Sequence, residues 1–310
     1  MITNAWAVSV IRHKTSEEYR FLALLALVLC AAFPEVVLGS HTFYYRDFGH
    51  FAYPLAHYHR ECFWRGEIPL WNPYSSCGLP HLAQWNTMCL YPGALIYLLG
   101  PLPWALGWFS LAHLLLAGAG AYQLARRWTD SRFAASVGGL AYAINGFTLH
   151  AVMWPNNLAA LAWAPWLWLL VERAAREGGR TLLLAALVGA MQMLAGAPEI
   201  ILFTWLIAAA LALAEGKRKK EKGKSEGLER LRPFAFCLFT FALAALLSAA
   251  QLLPFLELVQ HSHRAVGYDD DFYALPLWGW ANVLVPLFHA SPSQAGVYTI
   301  TAQQWTSSYY

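Results

Sequence analysis

HTFYYRDFGHFAYPLAHYHRECFWRGEIPLWNPYSSCGLPHLAQWNTMCLYP, residues 41–92, is the one long stretch of this 310-residue chain that is neither an apolar run nor a basic linker. It is rich in aromatic residues, His, Pro and Asn, and an acid, Asp47, stands only a few residues past a hydrophobic run. Everything that follows it reads as apolar segments joined by short turns. The stretch therefore reads as a loop that carries the chemistry, held by spans that fix its position.

Composition supports the spans. Hydrophobic residues make up 58% of the chain and charged residues 13%, and the mean hydropathy is +0.39. A soluble domain carries about a quarter charged residues. Fifteen Trp, fifteen Tyr and seventeen Phe suit a protein with two membrane interfaces to line. The expected fold class is therefore all-α, a polytopic transmembrane bundle forming one domain over 1–310.

Outward from the loop, the first apolar run is Phe21–Leu38, close to the roughly 20 residues that cross a bilayer. The polar lead of 1–20 and the Pro34-Glu35 pair argue for a retained span over a cleaved signal peptide. Within the loop (39–92), Phe51–Trp64 predicts a short interfacial helix with His57, His59, Arg60 and Glu61 towards water. Gly66–Pro80 predicts turns, and Tyr91–Gly100 a segment too short to span. The later runs are Pro103–Gln123, Phe133–Leu149, Leu158–Val171, Thr181–Ala195, Ile200–Ala214 and Phe234–Phe255, about seven crossings in all. Trp278–Phe288 reads as a partial helix in the mixed outer segment 256–310.

Charge orients the bundle. With the N-terminus in the cytoplasm, the inner segments are 1–20, 126–132, 172–180 and the linker 217–232. That linker carries Lys217, Arg218, Lys219, Lys220, Lys222, Lys224, Arg230 and Arg232 against Glu221, Glu226 and Glu229. The short outer turns at 150–157 and 196–199 hold no Lys or Arg. This is the positive-inside pattern, and its alternation disfavours reading the linker as a nucleic-acid patch.

The same topology puts Asp47, Glu199, Glu257 and Asp269–Asp271 on the outer side. Glu199 sits in AGAPEIILF with apolar neighbours on both sides, where an ionisable group has either a partner or a task. The competing reading is an acid in the first turn of the following helix. Asp47 alone reads equally as a solvated acid beside Arg46. His50, His57, His59 and His81 match no zinc spacing. Cys62, Cys77 and Cys89 are all on the outer side, with no pairing fixed by sequence. No dinucleotide, P-loop or Ser-His-Asp pattern fits the topology.

The order of features resembles the bacterial YfhO-type membrane proteins of the GT-C class of polytopic glycosyltransferases. The matching pieces are residues 44–86, YPGALIYLL at 91–99, residues 125–176, and MLAGAPEIILFTW at 193–205, with GEIPLWNP (Gly66–Pro73) the most specific. The resemblance covers roughly residues 20–260. GT-C enzymes place an essential acid in the first outer loop just past the first helix, and Asp47 holds that position.

The resemblance implies transfer of a sugar from a polyprenyl-phosphate donor to an envelope glycan or protein acceptor, at the outer face of the bacterial cytoplasmic membrane. Asp47 would be the general base. Glu199 would assist it, bind a divalent ion or orient the acceptor. Arg264 beside His261 and His263 would meet the departing phosphate, with His57 and Asn156 as further substrate-binding groups. Family members are longer, so an N-terminal portion is expected here. The alternative is a non-catalytic membrane protein, a transporter or an assembly scaffold. A transporter would place ionisable groups near the midplane, often with repeat symmetry.

Overall fold

The computed structural model describes residues 3–43, 47–221 and 231–262, with short pieces at 290–292, 298–300 and 303–307. Side chains are described for 18–43, 47–217 and 231–262. The chain is helical: α1 (Thr3–Ala32), α2 (Pro34–Leu38), α3 (Tyr53–Trp64), α4 (Leu102–Trp128), α5 (Arg132–Ile144), α6 (Gly146–Ala151), α7 (Pro155–Glu177), α8 (Gly179–Ala195), α9 (Pro198–Glu221), α10 (Arg232–Leu247) and α11 (Ala249–His261). A small antiparallel ladder, Ala290–Pro292, Tyr298–Ile300 and Gln303–Ser307, stands apart from the helical body in sequence.

Among the described residues, α4, α7 and Pro198–Lys217 of α9 are long and apolar enough to cross a membrane. A fourth crossing results if α10 and α11, bent by 87° at their junction, act as one broken span. The other runs expected to cross are interrupted or short. Phe21–Leu38 divides at Phe33, where Pro34 starts a new helix. Phe133–Leu149 divides at Asn145, whose carboxamide accepts from Thr148 N at 3.0 Å and donates to Ala141 O at 2.9 Å. It thereby caps the start of α6 while satisfying the end of α5. Phe234–Phe255 divides at Ser248, whose hydroxyl turns back onto Ala244 O. α8 is apolar but only 17 residues long. Trp278–Phe288 lies outside the described residues.

Glycine sets the closest approach. A Cβ on Gly118 would lie 3.0 Å from Gly139 O and 2.5 Å from a Leu25 methyl, so α4 and α5 meet backbone to backbone with α1 laid over them. Phe21 stacks on Tyr122 beside them at 4.2 Å. Gly138, next to Gly139 in sequence, meets only Ala125 Cβ at 3.7 Å.

The three long helices run in one direction. Arg127 near the end of α4 pairs with Glu172 on α7 at 3.2 Å, and Arg176 pairs with Glu172 at 3.0 Å and with Glu215 on α9 at 3.2 Å. The C-terminal ends of α4, α7 and α9 are therefore tied together, and α5–α6 and α8 return the chain between them. Their N-terminal ends carry the 41–92 loop.

Candidate functional site

The loop is built onto those N-terminal ends by buried aromatics and hydrogen bonds to backbone. Phe48, Tyr91 and Tyr97 join Phe109 of α4, Ala160 of α7 and Ala197 ahead of α9 in one core. Trp85 donates its indole N–H to Met193 O at the end of α8. Gly196 follows with φ +76°, and a Cβ there would fall 1.9 Å from Trp85 O, a contact only glycine permits. Gln251 of α11 donates to Trp85 O and accepts from Leu90 N, both at 3.2 Å. Below them Trp163 donates to Tyr91 Oη at 2.8 Å. Tyr91 Oη lies 2.7 Å from His113 Nε2, and His113 Nδ1 lies 2.7 Å from Phe109 O. A carbonyl only accepts, so Nδ1 carries the imidazole proton and Nε2 accepts from Tyr91.

Asp47 sits at the head of this construction. It precedes a π-helical turn, Phe48–Ala52, that runs into α3. Its half-buried carboxylate accepts from the Trp154 indole N–H at 2.9 Å. Trp154 caps the N-terminus of α7, where partial positive charge from the aligned peptides favours an anion. Arg46, the neighbour that a solvated-acid reading would pair with it, lies outside the described residues.

Three hollows lie in and beside the loop, lined by neighbours of Asp47 and not by Asp47 itself. An apolar cavity of about 360 Å³ is lined by Phe33, Phe43, Phe48, Leu149 and Met153, with His150 as its polar member. A cleft of about 10 Å³, the size of one water, is bounded by Phe51, Leu55, Trp154 and Asn156. Phe51 and Leu55 also wall an open polar cavity of about 560 Å³ that holds His50, His57, Glu61 and Arg65. Asp47 is thus next in sequence to a residue of the greasy hollow. Its hydrogen-bond partner borders the cleft that leads to the polar one.

The other candidate residues fall in different places. His57 is exposed and lines the polar cavity. Asn156 borders the cleft, but its carboxamide is engaged with Asn157 Oδ1 and Gly196 O, each at 3.0 Å. Glu199 is exposed in the first turn of α9, so the carboxylate is not enclosed by its apolar sequence neighbours and occupies the helix-start position. Arg264, His263 and Asp269–Asp271 lie outside the described residues. His261 is held by its own helix, Nδ1 2.9 Å from Glu257 O.

One expectation for α3 needs correction. His59 does not face water. His59 is buried, stacked on Phe63 at 4.5 Å and edge-on to Tyr97 at 6.0 Å. The Arg60 guanidinium lies over the Trp64 ring at 3.9 Å. His81 is fully buried nearby, and among the described residues neither of its ring nitrogens has a hydrogen-bond partner. Burial lowers both imidazoles to about 4, a hydrogen bond to the Thr87 backbone opposing the shift at His59 and the nearby His59 adding to it at His81. All five cysteines are free thiols; Cys62 and Cys89 are buried, and burial pushes the Cys89 thiol up to about 12. Among the described residues no group of three His, Cys, Asp or Glu could hold a metal ion.

Trp154, Trp85, Gly196 and Gln251 position the loop without having been singled out by sequence. The signal that existed was the clustering of Trp with Pro and Gly at helix starts, in WPNN and AGAPE. No family model, curated protein or solved structure matches the chain.

Proposed function

We propose that the chain is a membrane glycosyltransferase of GT-C type. It moves a sugar from a polyprenyl-phosphate donor to an acceptor hydroxyl at the outer face of a bacterial cytoplasmic membrane. The observation that carries this reading is the Asp47 carboxylate, fixed at 2.9 Å by Trp154, which borders the cleft beside the polar hollow, and followed in sequence by Phe48, which lines the apolar one. An isoprenoid tail suits the apolar hollow and polar groups the other. The acceptor oxygen attacks the anomeric carbon as the bond from that carbon to the phosphate oxygen breaks. The electron pair leaves on the phosphate, and the hydroxyl proton passes to Asp47. Arg264 and His263 are the proposed partners of the phosphate, with a divalent ion as the alternative source of positive charge there. Glu199 is proposed to orient the acceptor.

The topology belongs to the same proposal: about seven crossings counting the broken ones, N-terminus and the 217–232 linker in the cytoplasm, loop 41–92 outside. Support comes from the one-sided Lys and Arg distribution and from the ion pairs that gather the ends of α4, α7 and α9 at the end away from the loop. The test is to supply the chain, reconstituted in lipid vesicles, with a panel of polyprenyl-phosphate sugars together with envelope glycan and protein acceptors, and to assay release of free polyprenyl phosphate. Release by the native chain and not by Asp47→Asn is expected. No release from any donor by the native chain would remove the assignment.

A further inference from the structure

We infer that the 560 Å³ cavity in the 41–92 loop is a binding site for a neutral saccharide, which on the transferase reading is the acceptor. The cavity is formed by one face of α3. Pro54, His57, Tyr58, Glu61 and Arg65 recur at helical spacing and line it, while Ala56, His59 and Cys62 on the opposite face are buried in the loop core. The polar face of a surface helix normally meets bulk water. Here the turn 72–79 stands in front of it.

That wall is firmly made. Asn72 and Leu79 exchange both backbone hydrogen bonds, at 2.7 and 2.9 Å, and the Asn72 carboxamide oxygen accepts from Tyr74 N at 3.0 Å. Tyr58 donates its hydroxyl to Trp71 O across the base of the turn and meets Tyr74 edge-on at 5.9 Å. Gly78, at φ +107°, lets the Trp71 ring lie against the backbone, since a Cβ there would be 2.6 Å from it. The volume is that of a ligand site, about 300–1,000 Å³.

The lining selects the chemistry. Tyr58, Tyr74 and Phe51 offer flat apolar rings, and His57, Glu61 and Gln84 offer both donors and acceptors. A pyranose presents that pairing in return, an axial C–H surface rimmed by hydroxyls that donate and accept. A phosphorylated or acidic ligand is disfavoured on charge. The guanidinium in the lining, Arg65, is already paired with Glu67 at 3.1 Å, and Glu61 adds a carboxylate. Shared walls place such a sugar next to the catalytic candidate, because Phe51 and Leu55 belong also to the cleft bordered by Trp154, the partner of Asp47.

The experiment is saturation-transfer NMR on the purified full-length chain in detergent, with maltose, cellobiose, lactose and diacetylchitobiose as probes and inorganic phosphate as competitor. At least one disaccharide should give a saturable signal that phosphate does not displace. Tyr74→Ala and His57→Ala should each weaken it about tenfold. Tyr74 is 86% exposed, so its truncation tests binding without unfolding the loop; a thermal melt of each variant confirms this. The inference is overturned if none of the four binds, if binding survives both substitutions, or if phosphate displaces the sugar. Donor turnover without disaccharide binding would remove this site and leave the transferase; disaccharide binding without turnover of any donor would do the reverse.

Discussion

His59 and His81 lie inside the loop with their imidazoles lowered to about 4 by burial. Each is therefore neutral in the folded chain and takes up a proton only when the loop opens, at a value near 6.5. Stability from this source is complete above about 6.5 and is lost as pH falls towards 4, because the unfolded state then binds more protons. The displacement corresponds to roughly 3 kcal/mol per histidine. The melting temperature in detergent should accordingly fall steeply between pH 6.5 and 4. His81→Phe, which removes two unpartnered buried nitrogens while keeping a ring, should be neutral or stabilising at pH 7.5 and should flatten the acid limb. An unchanged acid limb would show that His81 is not the group responsible. At this scale the sequence was only partly legible. Reading Phe51–Trp64 as an interfacial helix put His57 and His59 together towards water, yet they sit on different faces of α3. The surface that buries His59, including Thr87 and Tyr97, comes from later in the chain, and no local pattern announces it.

Among the elements, apolar runs and the breaks between them at Pro and Gly were readable. WPNN starts α7, and GAPE separates α8 from α9. Breaks inside the apolar runs were not: Pro34 starts a new helix within Phe21–Leu38, and Asn145 and Ser248 interrupt runs that look continuous by hydropathy through side chains that bond to the preceding helix. The junction at Gly196 offers a quantitative test. Gly196→Ala carries both the left-handed backbone penalty, about 1–2 kcal/mol, and a collision with the Trp85 carbonyl. It should cost about 3 kcal/mol or more and loosen the loop from α8. Gly66→Ala is the matched control, with φ +74° but nothing within 4 Å of the added methyl, and should show the backbone penalty alone. Equal losses of melting temperature for the two would mean that the Trp85–Gly196 contact does not secure the loop.

For the molecule as a whole, charge distribution and packing point the same way. Sequence grouped 126–132, 172–180 and 217–232 on one side, and Arg127, Arg176, Glu172 and Glu215 are in contact at one end of the bundle. The loop with Asp47 is at the other. Exposed Cys77 provides a native reporter: in a Cys30→Ser background a membrane-impermeant maleimide should label it from outside intact cells. Lys222→Cys, in a chain lacking Cys30 and Cys77, should label only after the membrane is opened. The converse pattern would invert the topology. Sequence could not supply the three hollows, since each is walled by residues more than 20 positions apart.

Asp47 is the centre on which those scales converge, and its carboxylate can be tested with little disturbance. Asp47→Asn keeps the side-chain size and an oxygen to accept from Trp154, and removes charge and basicity. Loss of a general base lowers rate by about 10²–10⁴-fold, whereas a surface acid of no special role changes stability by about 0.5 kcal/mol or less. The decisive measurement is sugar transfer from a polyprenyl-phosphate donor by the Asp47→Asn chain, with Glu67→Gln as control and melting temperatures recorded for both. A fall of at least a hundredfold at near-native stability, with Glu67→Gln mildly affected, is the predicted result. Native turnover in Asp47→Asn would contradict the base assignment and, with it, most of the case for a transferase.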